Sequence, residues 1–318
     1  MSEKLRILVA ERLSEEAMGK LRAVGELVEL ADCSEEAIAA AVAEASALVV
    51  RTASRVTARV IDAAPKLKVI GRAGVGLENI DLDHANRKGI AVVYTPAAAT
   101  QAVAELTLGL LLAVVRGIPA KDARLRAGAF DELRRQASGR ELSGMTLGIV
   151  GLGRIGRAVA RIGHWGFGMK VVYNDIVEVG WLDTPATPLS KEELYAAADV
   201  VSLHVPLTPL TDRLIHDKSL ALFKPGSYLV NTARGRVVDS TAVAAALVTG
   251  HLAGAAFDVL DLEPPPPDHP LLSAPNCVLS PHAGSRTVAG LAAMNDVVDD
   301  VLAVLSGKPP RFPAEPVF

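Results

Sequence analysis

The stretch MTLGIVGLGRIGRAVARIGHWGFGMKVVYND, residues 145–175, decides the fold. Its first six residues form an apolar run that predicts a strand, RIGRAVARIG predicts a helix, and KVVYND predicts a second strand. Between the first strand and the helix stand Gly151, Gly153 and Gly156, in the spacing G-x-G-x-x-G. That spacing alone carries little weight, but in a strand–turn–helix context it is typical of a dinucleotide-binding turn.

Each glycine of the turn has a physical task. Gly151 permits the tight turn, Gly153 lets the backbone approach a pyrophosphate, and Gly156 lets the helix pack closely on the strand. The free N–H groups at the helix N-terminus favour the phosphates. The second strand ends at Asp175, about 20 residues beyond the turn, where a carboxylate hydrogen-bonds a ribose 2′-hydroxyl. Because a carboxylate repels a 2′-phosphate, we expect NAD rather than NADP.

On both sides of this stretch, short apolar runs alternate with amphipathic segments. The alternation predicts parallel sheets with crossover helices, and 318 residues suffice for two domains. Ser14 and Ser34 are expected to cap the first two helices, further helices are expected at about 100–116 and 288–305, and 121–143 is a polar stretch. The remaining strands are expected at 5–10, 27–30, 48–50, 69–70, 91–93, 200–203, 228–231, 253–259 and 277–279.

Composition excludes several classes of protein. A formal net charge of -3 argues against a basic nucleic-acid binder. The two cysteines, Cys33 and Cys277, form no C-x-x-C pair, so neither a disulfide framework nor a metal site is expected. No apolar run reaches the ~20 residues that a membrane span requires. The N-terminus does not resemble a signal peptide, and we expect a cytoplasmic protein without a membrane partner.

Three polar residues follow predicted strands of the second half of the chain: Arg234, Glu263 and His282. Ligands of open α/β sheets bind beyond the carboxyl ends of the strands, so these side chains are candidates for one site. Oxidation of a hydroxyl carbon needs a base for the proton, and histidine is the usual choice. A neighbouring carboxylate would hold the imidazole tautomer, and an arginine would bind a substrate carboxylate and polarise the carbonyl.

With these motifs the chain resembles a known family, the D-isomer-specific 2-hydroxyacid dehydrogenases, and within it the D-3-phosphoglycerate dehydrogenases. The similar stretches cover nearly the whole chain and follow the order of the family. They are RTASRVTARVIDAAPKLKVIGRAGVGLENID (51–81), AELTLG (104–109), LSGMTLGIVGLGRIGRAVA (142–160), VPLTPLTDRLI (205–215), NTARGRVVD (231–239), AAFDVLDLEPP (255–265) and LSPHAGSRT (279–287).

The resemblance implies two doubly wound α/β domains with parallel sheets, a Rossmann cofactor domain inserted in a flavodoxin-like substrate domain. The expected boundaries are 1–97 for the first part of the substrate domain, 98–286 for the NAD-binding domain and 287–318 for a returning helix and tail. Substrate is expected in the cleft between the domains. The resemblance also implies a homodimer formed through the cofactor domains.

Roles for individual residues follow from the same resemblance. It implies Arg234, Glu263 and His282 as the catalytic triad, with His282 the proton donor or acceptor and Glu263 its partner. Asp258 is expected to bind the nicotinamide carboxamide. The implied cofactor contacts are Gly151, Gly153, Arg154, Ile155, Gly156, Asp175, Thr232, Ala233, Arg234, Asp258, His282 and Gly284. The implied substrate contacts are Arg51, Arg72, Gly74, Val75, Gly76 and Arg234.

Several positions depart from the family pattern. Val75 stands where members commonly have Thr, and Ala99 stands where a substrate-binding Asn would be. The chain ends at Phe318, so we expect a short form without the C-terminal regulatory domain that many members carry. Arg134 or Arg135 is a candidate to reach the site of a partner subunit. His204 and His216 are interpreted as structural.

The substrate is expected to be a small D-2-hydroxy acid with a second anionic group, because Arg51 and Arg72 both follow apolar strands at their ligand-binding ends. The sequence favours 3-phosphoglycerate. The alternatives are reduction of glyoxylate or hydroxypyruvate, or oxidation of another anionic hydroxy acid such as sulfolactate. A reading of a different class is an NAD-sensing, corepressor-like interaction protein, which turnover of 2-keto acids with NADH would exclude.

Overall fold

The alternation of strands and helices expected from the sequence is present along the chain in a computed structural model, which describes residues 5–136 and 139–314. The strands are β1 (Arg6–Val9), β2 (Glu26–Glu29), β3 (Ala47–Val50), β4 (Val69–Arg72), β5 (Ala91–Tyr94), β6 (Thr146–Val150), β7 (Lys170–Asn174), β8 (Thr187–Pro188), β9 (Val200–Leu203), β10 (Ser227–Asn231), β11 (Leu252–Phe257) and β12 (Cys277–Leu279). The helices are α1 (Glu15–Arg22), α2 (Glu35–Ala41), α3 (Ala58–Asp62), α4 (Leu82–Arg87), α5 (Thr100–Arg116), α6 (Ile118–Arg126), α7 (Phe130–Arg135), α8 (Arg154–Arg161), α9 (Lys191–Ala197), α10 (Asp217–Leu220), α11 (Ser240–Val248), α12 (Pro270–Ser273), α13 (Val288–Met294) and α14 (Val297–Leu305).

The first compact unit runs to Ala99 and resumes at Arg286. Its five strands are all parallel, in the order β2-β1-β3-β4-β5, which is the flavodoxin-like arrangement. Each residue of β3 is fully buried, as expected for a strand covered by helices on both faces. The hydroxyl oxygens of Ser14 and Ser34 accept from the N–H groups of Ala17 and Ala37 and so cap α1 and α2, as predicted.

The second unit runs from Thr100 to Ser285 and carries the seven-stranded sheet. All its strands are parallel, in the order β12-β11-β10-β9-β6-β7-β8. Counted from β6, this is the Rossmann order with a seventh strand added at one edge. The strand order reverses between β6 and β9, so the ends of those strands form the switch point where ligands of such sheets bind. The α/β fold class with two doubly wound sheets is confirmed.

The structure corrects three details of the sequence interpretation. The stretch 121–143 was expected to be a polar connection, but α6 and α7 occupy much of it. Neither helix buries a residue, so its sequence carries no apolar periodicity from which a helix could be read. The helix expected at 288–305 is two helices, because the first ends at Met294 and the second begins after Asp296. The short edge strand β8 carries no strand signal of its own.

The units change at positions 99/100 and 285/286, whereas the sequence placed the boundaries at 97/98 and 286/287. The returning helix α14 packs on the first sheet: a Cβ built on Gly71 of β4 would lie 2.4 Å from Cγ2 of Val301. Within the described residues, no single helix is long and apolar enough to cross a membrane; α5 and α6 meet that test only as a pair bent by 59°, by length and composition alone.

Candidate active site

The glycine turn lies where β6 ends and α8 begins, at the switch point of the second sheet. Gly151 has φ +91°, and a Cβ there would lie 2.5 Å from the carbonyl oxygen of His204. A Cβ on Gly156 would lie 2.2 Å from the carbonyl oxygen of Gly151, so this position must be glycine for α8 to pack. Both contacts are with backbone, which cannot move aside without shifting a strand.

Gly153 differs from its two neighbours in the turn. Nothing lies within 4 Å of a Cβ built there, and the residue caps α8 without a side-chain hydrogen bond. The first N–H groups of α8 are therefore left for an anion, beside open space that any side chain would enter. Arg154 and Ile155 begin the same helix. This geometry fits the pyrophosphate of a dinucleotide.

Asp175 follows β7 and is held by two backbone groups. Its Oδ2 accepts from the N–H of Leu152 in the glycine turn at 2.7 Å, and its Oδ1 accepts from the N–H of Val177 at 3.0 Å. A carboxylate oxygen has two lone pairs, so both remain able to accept from ribose hydroxyls. The next two residues are apolar and exposed, Ile176 by 90%, and suit a flat nucleotide ring. Neither residue is a candidate by its sequence pattern, although both directly follow the acid.

The turn after β10 is shaped by a buried asparagine. Asn231 Oδ1 accepts from the N–H of Ala233 at 3.0 Å, and Asn231 Nδ2 donates to the carbonyl of Arg234 at 2.9 Å. The hydroxyl of Thr232 lies 2.8 Å from that of Thr107 on α5, which ties the turn to a long helix. Arg234 Nη1 donates to the carbonyl of Ala233 at 2.7 Å.

The next residue brings this turn against the loop that carries Glu263. A Cβ on Gly235 would lie 1.9 Å from the carbonyl carbon of Leu260. The N–H of Leu260 in turn donates to Glu263 Oε1 at 3.0 Å. The backbone after Arg234 therefore abuts the loop 260–263, in line with the expectation that Arg234 and Glu263 belong to one site.

His282 and Glu263 form a pair, as the sequence analysis expected. His282 Nδ1 lies 2.7 Å from Glu263 Oε2, and both side chains are about two-fifths exposed. A carboxylate at Nδ1 favours the tautomer with its proton on that nitrogen, which leaves Nε2 with a lone pair. The other carboxylate oxygen is held by Leu260, so the pair has one defined orientation.

Asp258 fixes the backbone on which His282 stands. Its two carboxylate oxygens accept from the N–H groups of Ala283, at 2.9 Å, and Gly284, at 2.8 Å. Its carbonyl accepts from the N–H of His282 at 2.7 Å. His282 has φ +52°, a left-handed backbone that is uncommon for a residue with a side chain and needs such support. A Cβ on Gly284 would lie 2.9 Å from Asp258 Oδ2.

A second carboxylate anchors the loop of Glu263. Asp261 Oδ1 accepts from the hydroxyl of Ser240 at 2.7 Å and lies 2.8 Å from Nε2 of the buried His269. Burial opposes the charge of Asp261, but the hydrogen bonds of His269 and Ser240 outweigh it and hold the pKa below its ordinary value. Neither Asp261 nor His269 was singled out in the sequence, because each looks like an ordinary loop residue.

In the first unit, Arg51 follows β3 on a loop held by two side chains. Glu11 Oε1 accepts from the N–H groups of Arg51 and Ser54, both at 2.9 Å, and from the Ser54 hydroxyl at 2.8 Å. Asn79 Nδ2 donates to the carbonyls of Arg51 and Ser54, at 2.9 and 2.6 Å. Arg51 also lines a cavity of about 580 Å³ formed by this unit, with residues of α1 and α13.

Arg72 ends β4 and is buried, unlike an ordinary surface arginine. Its Nη1 donates to the carbonyl of Ala73 at 2.9 Å, and its Nη2 lies 3.5 Å from the hydroxyl of Thr52. A Cβ on Gly74 would lie 1.6 Å from Arg72 Nη1, so the glycine makes room for the guanidinium. Val75 and Gly76 follow and are partly exposed.

The remaining candidates stand apart from these groups. Arg134 and Arg135 are exposed on α7. His204 Nε2 lies 2.8 Å from the hydroxyl of Ser202, and burial lowers its pKa to about 3, so the ring is neutral. His216 Nδ1 accepts from the N–H of Lys218 and caps α10. Among the residues that the structure describes, no three His, Cys, Asp or Glu are grouped as metal ligands.

Comparison with known proteins gives concordant matches. The family described as D-isomer specific 2-hydroxyacid dehydrogenase, NAD binding domain, matches residues 108–284. Over 308 residues the chain is 42% identical to D-3-phosphoglycerate dehydrogenase of Methanocaldococcus jannaschii, covering 96% of this chain but only 58% of that relative. It is also 42% identical over 285 residues to glyoxylate reductase of Thermofilum pendens, covering 87% of this chain and 83% of the relative.

Among solved structures, the chain is similar to the TT0316 protein of Thermus thermophilus. The TM-score is 0.88 at 41% identity, with 98% of this chain and 100% of that chain covered. The match therefore extends over nearly the whole chain.

Proposed function

The chain belongs to the D-isomer-specific 2-hydroxyacid dehydrogenase family, and from that premise we propose that it interconverts a small D-2-hydroxy acid and its 2-keto acid with NAD(H). We further propose that 3-phosphoglycerate and 3-phosphohydroxypyruvate are the preferred pair. The observation that supports the reaction type is the contact between His282 and Glu263. Asp258 fixes the backbone of His282, and the pair lies in the same unit as the glycine turn.

In this proposal the proton moves at His282 Nε2. In the oxidising direction Nε2 accepts the hydroxyl proton of the substrate, and in the reducing direction it donates a proton to the keto oxygen. Glu263 stabilises the resulting imidazolium through the contact at Nδ1. Arg234 binds the substrate carboxylate and polarises the carbonyl, since a guanidinium offers several donors in a fixed geometry. The nicotinamide, when bound, accepts or supplies the hydride.

We propose that residues 98–286 bind NAD through the glycine turn, Arg154, Ile155, Asp175, the Thr232–Arg234 turn, Asp258, His282 and Gly284. The open space beside Gly153 and the free start of α8 support the pyrophosphate contact. The carboxylate of Asp175 supports NAD over NADP, because it can accept from ribose hydroxyls but would repel the negative charge of a 2′-phosphate. Asp258 retains one lone pair on each oxygen for the carboxamide after its two backbone bonds.

Residues 1–97 and 287–318 are proposed to supply the rest of the substrate contacts: Arg51, Arg72, Gly74, Val75 and Gly76. Arg234 is assigned to the carboxylate that every 2-hydroxy acid carries. Two further arginines of the first unit suit a second anionic group, and charge-assisted hydrogen bonds contribute roughly 1.5–3 kcal/mol each. At ~1.4 kcal/mol per tenfold, two such bonds favour phosphohydroxypyruvate over hydroxypyruvate by about 10²-fold or more.

The test is a comparison of kcat/KM for phosphohydroxypyruvate, sulfopyruvate, hydroxypyruvate and glyoxylate with NADH. We expect phosphohydroxypyruvate to lead in the wild type, and Arg51→Ala to lower its kcat/KM far more than that of glyoxylate. Arg59→Ala is the matched control, because Arg59 is an exposed arginine of the same unit whose partner is Glu36. Equal or better use of glyoxylate by the wild type would contradict a dianionic substrate.

A second candidate is reduction of glyoxylate or hydroxypyruvate. It is favoured by Ala99, which is 2% exposed and offers no polar side chain where the family has a substrate-binding Asn. A smaller substrate without a phosphate would not require that contact. The same four keto acids distinguish the two candidates, since this one requires glyoxylate or hydroxypyruvate to give the highest kcat/KM.

We also propose a homodimer formed through the cofactor domain. Helices α6 and α7 bury none of their residues, yet Ile118, Leu125 and Phe130 are about half exposed on them. Exposed apolar side chains on helices that bury none of their residues are typical of an interface. Light scattering should give a mass of two chains for the wild type and of one chain for Leu125→Asp with Phe130→Asp. An unchanged dimer in that variant would place the interface elsewhere.

A further inference from the structure

A cavity of about 350 Å³ lies in the second unit, away from the glycine turn and from the His282–Glu263 pair. It is bounded by α9, by α10 and by the segment 210–214 that precedes α10. Its walls share a polar, mostly basic character. They are formed by Lys191, Glu192, Tyr195, Leu210, Asp212, Arg213, Leu214, His216, Lys218, Ser219 and Leu222.

The positive charge of this cavity is not neutralised by the surrounding protein. Within residues 5–136 and 139–314, the side chains of Lys191, Arg213 and Lys218 form no ion pair or hydrogen bond. Asp212, which could neutralise them, is paired with Arg236 at 2.5 Å. Glu192 is the one other acid in the lining. The lining therefore has three positive side chains, and Glu192 is the one acid in it that is not already paired.

A buried hydroxyl adds a second, independent feature. Tyr195 lines the cavity from α9 and is only 3% exposed, and its hydroxyl has no hydrogen-bond partner in the described part of the chain. A buried polar group without a partner is unfavourable, so such groups in a folded protein call for an explanation. Burial raises the pKa of Tyr195 to about 12, which keeps the hydroxyl protonated as a donor.

The segment that presents Arg213 is held in a fixed shape. Arg213 has φ +51°, a left-handed backbone that disfavours a side chain, yet its N–H donates to the carbonyl of Arg236 at 2.7 Å. The N–H of Ile215 donates to the carbonyl of Val237 at 3.0 Å. Backbone strain at a non-glycine residue is often retained where it positions a functional side chain. Here the strained backbone places the Arg213 guanidinium at the cavity, where no described residue accepts a hydrogen bond from it.

We propose that this cavity binds a small multivalent oxyanion, of the phosphate or pyrophosphate type, with Lys191, Arg213 and Lys218 as the charge contacts and Tyr195 as a neutral donor. Oxyanions of this kind accept from several donors at once, and arginine and lysine are their usual partners. The volume suits a small anion or a compact phosphate ester. The site is separate from the proposed NAD and substrate contacts, so it is a second ligand site of the chain.

The experiment titrates pyrophosphate into the full chain saturated with NADH, by calorimetry, so that the dinucleotide turn is occupied. We expect a saturable binding event whose affinity falls at least tenfold in Lys191→Ala with Lys218→Ala, and several-fold in Tyr195→Phe. Binding should also weaken with added salt, as for any charge-driven contact. Lys170→Ala is the matched control, because Lys170 is an exposed lysine of the same unit outside the cavity, and it should bind as the wild type does.

Any binding of pyrophosphate at the substrate arginines is the same in all these variants. A difference in pyrophosphate affinity between the variants therefore reports on the cavity. An unchanged KM for NADH in each variant establishes that the fold is intact. The proposal is overturned if the wild type shows no saturable binding, or if the double lysine variant binds as tightly as the Lys170→Ala control. Loss of affinity in that control as large as in the double variant would also overturn it, since net charge alone would then explain binding.

Discussion

Gly153→Ala separates the role of the glycine turn in folding from its role in cofactor binding. Nothing lies within 4 Å of the added methyl group, and the backbone has φ −72°, which alanine readily adopts. Restricting the unfolded chain stabilises the fold by about 0.4–1 kcal/mol. Losing glycine at a helix N-cap costs roughly 0.5–1 kcal/mol. The two effects nearly cancel, so we expect the melting temperature to change by less than about 2 °C.

Cofactor binding should respond very differently. The methyl group would occupy the space through which the pyrophosphate approaches α8, and at least one charge-assisted bond to a backbone N–H would be lost. Such a bond contributes about 1.5–3 kcal/mol, which at ~1.4 kcal/mol per tenfold corresponds to a roughly 10- to 150-fold weaker affinity for NADH. Fluorescence titration of NADH measures the affinity, and thermal unfolding without NADH measures the stability.

Two further variants bracket the interpretation. Gly156→Ala places its methyl group 2.2 Å from a backbone oxygen and should unfold the second unit or lower its stability sharply. Gly19→Ala lies inside α1 with open space around it, and should raise stability by about 0.5–1 kcal/mol without any effect on NADH. If Gly153→Ala keeps the wild-type affinity for NADH, the pyrophosphate does not lie against this turn.

Three other outcomes follow from the site and its surroundings. Asp175→Ala should raise the KM for NADH and lower the preference for NADH over NADPH by about tenfold or more; an unchanged ratio would mean that Asp175 does not face the ribose. Glu263→Gln should lower kcat by about tenfold, less than the roughly 10²–10⁴-fold of general acid–base catalysis because His282 remains; a kcat equal to that of the wild type would argue that the pair does not act together. Burial opposes the charge of Asp199, but the contacts of Lys224 and of the Thr146 N–H outweigh it and keep the pKa below its ordinary value, so Asp199→Asn should lose about 1–3 kcal/mol of stability at pH 7. In denaturant titrations this deficit should begin to shrink only below about pH 4 and should vanish as the pH falls through the lowered pKa of Asp199; a deficit that persists at still lower pH would contradict this.

The sequence was sufficient for features that depend on local pattern. The fully buried strand β9 is apolar except for Ser202, and its bounds of Val200–Leu203 were predicted without error. The turn at Gly151 was recognisable because tight approaches of backbone admit only glycine. The pairing of His282 with Glu263 was expected because both follow neighbouring strands of a parallel sheet and because the family resemblance pointed to both residues.

Two kinds of feature could not be predicted from the sequence: contacts between distant segments, and helices without a buried face. Glu11 holds the loop of Arg51 across 40 residues, and no local pattern distinguishes it from a surface acid. Asp258 was expected only as a cofactor contact, but its carboxylate also fixes the backbone of His282. Helix α6 buries none of its residues, so its few apolar residues follow no helical periodicity from which it could be predicted.

The most direct test of the proposed activity is the rate and stereochemistry of NADH oxidation with phosphohydroxypyruvate, in the wild type and in His282→Asn. Asparagine tolerates the left-handed backbone at this position, so the variant should fold while lacking the proton donor. We expect the wild type to form the D-hydroxy acid. The variant should lose roughly 10²–10⁴-fold in kcat, with its affinity for NADH within a factor of about three. Turnover by His282→Asn at the wild-type rate, or formation of the L-isomer by the wild type, would contradict the proposed activity.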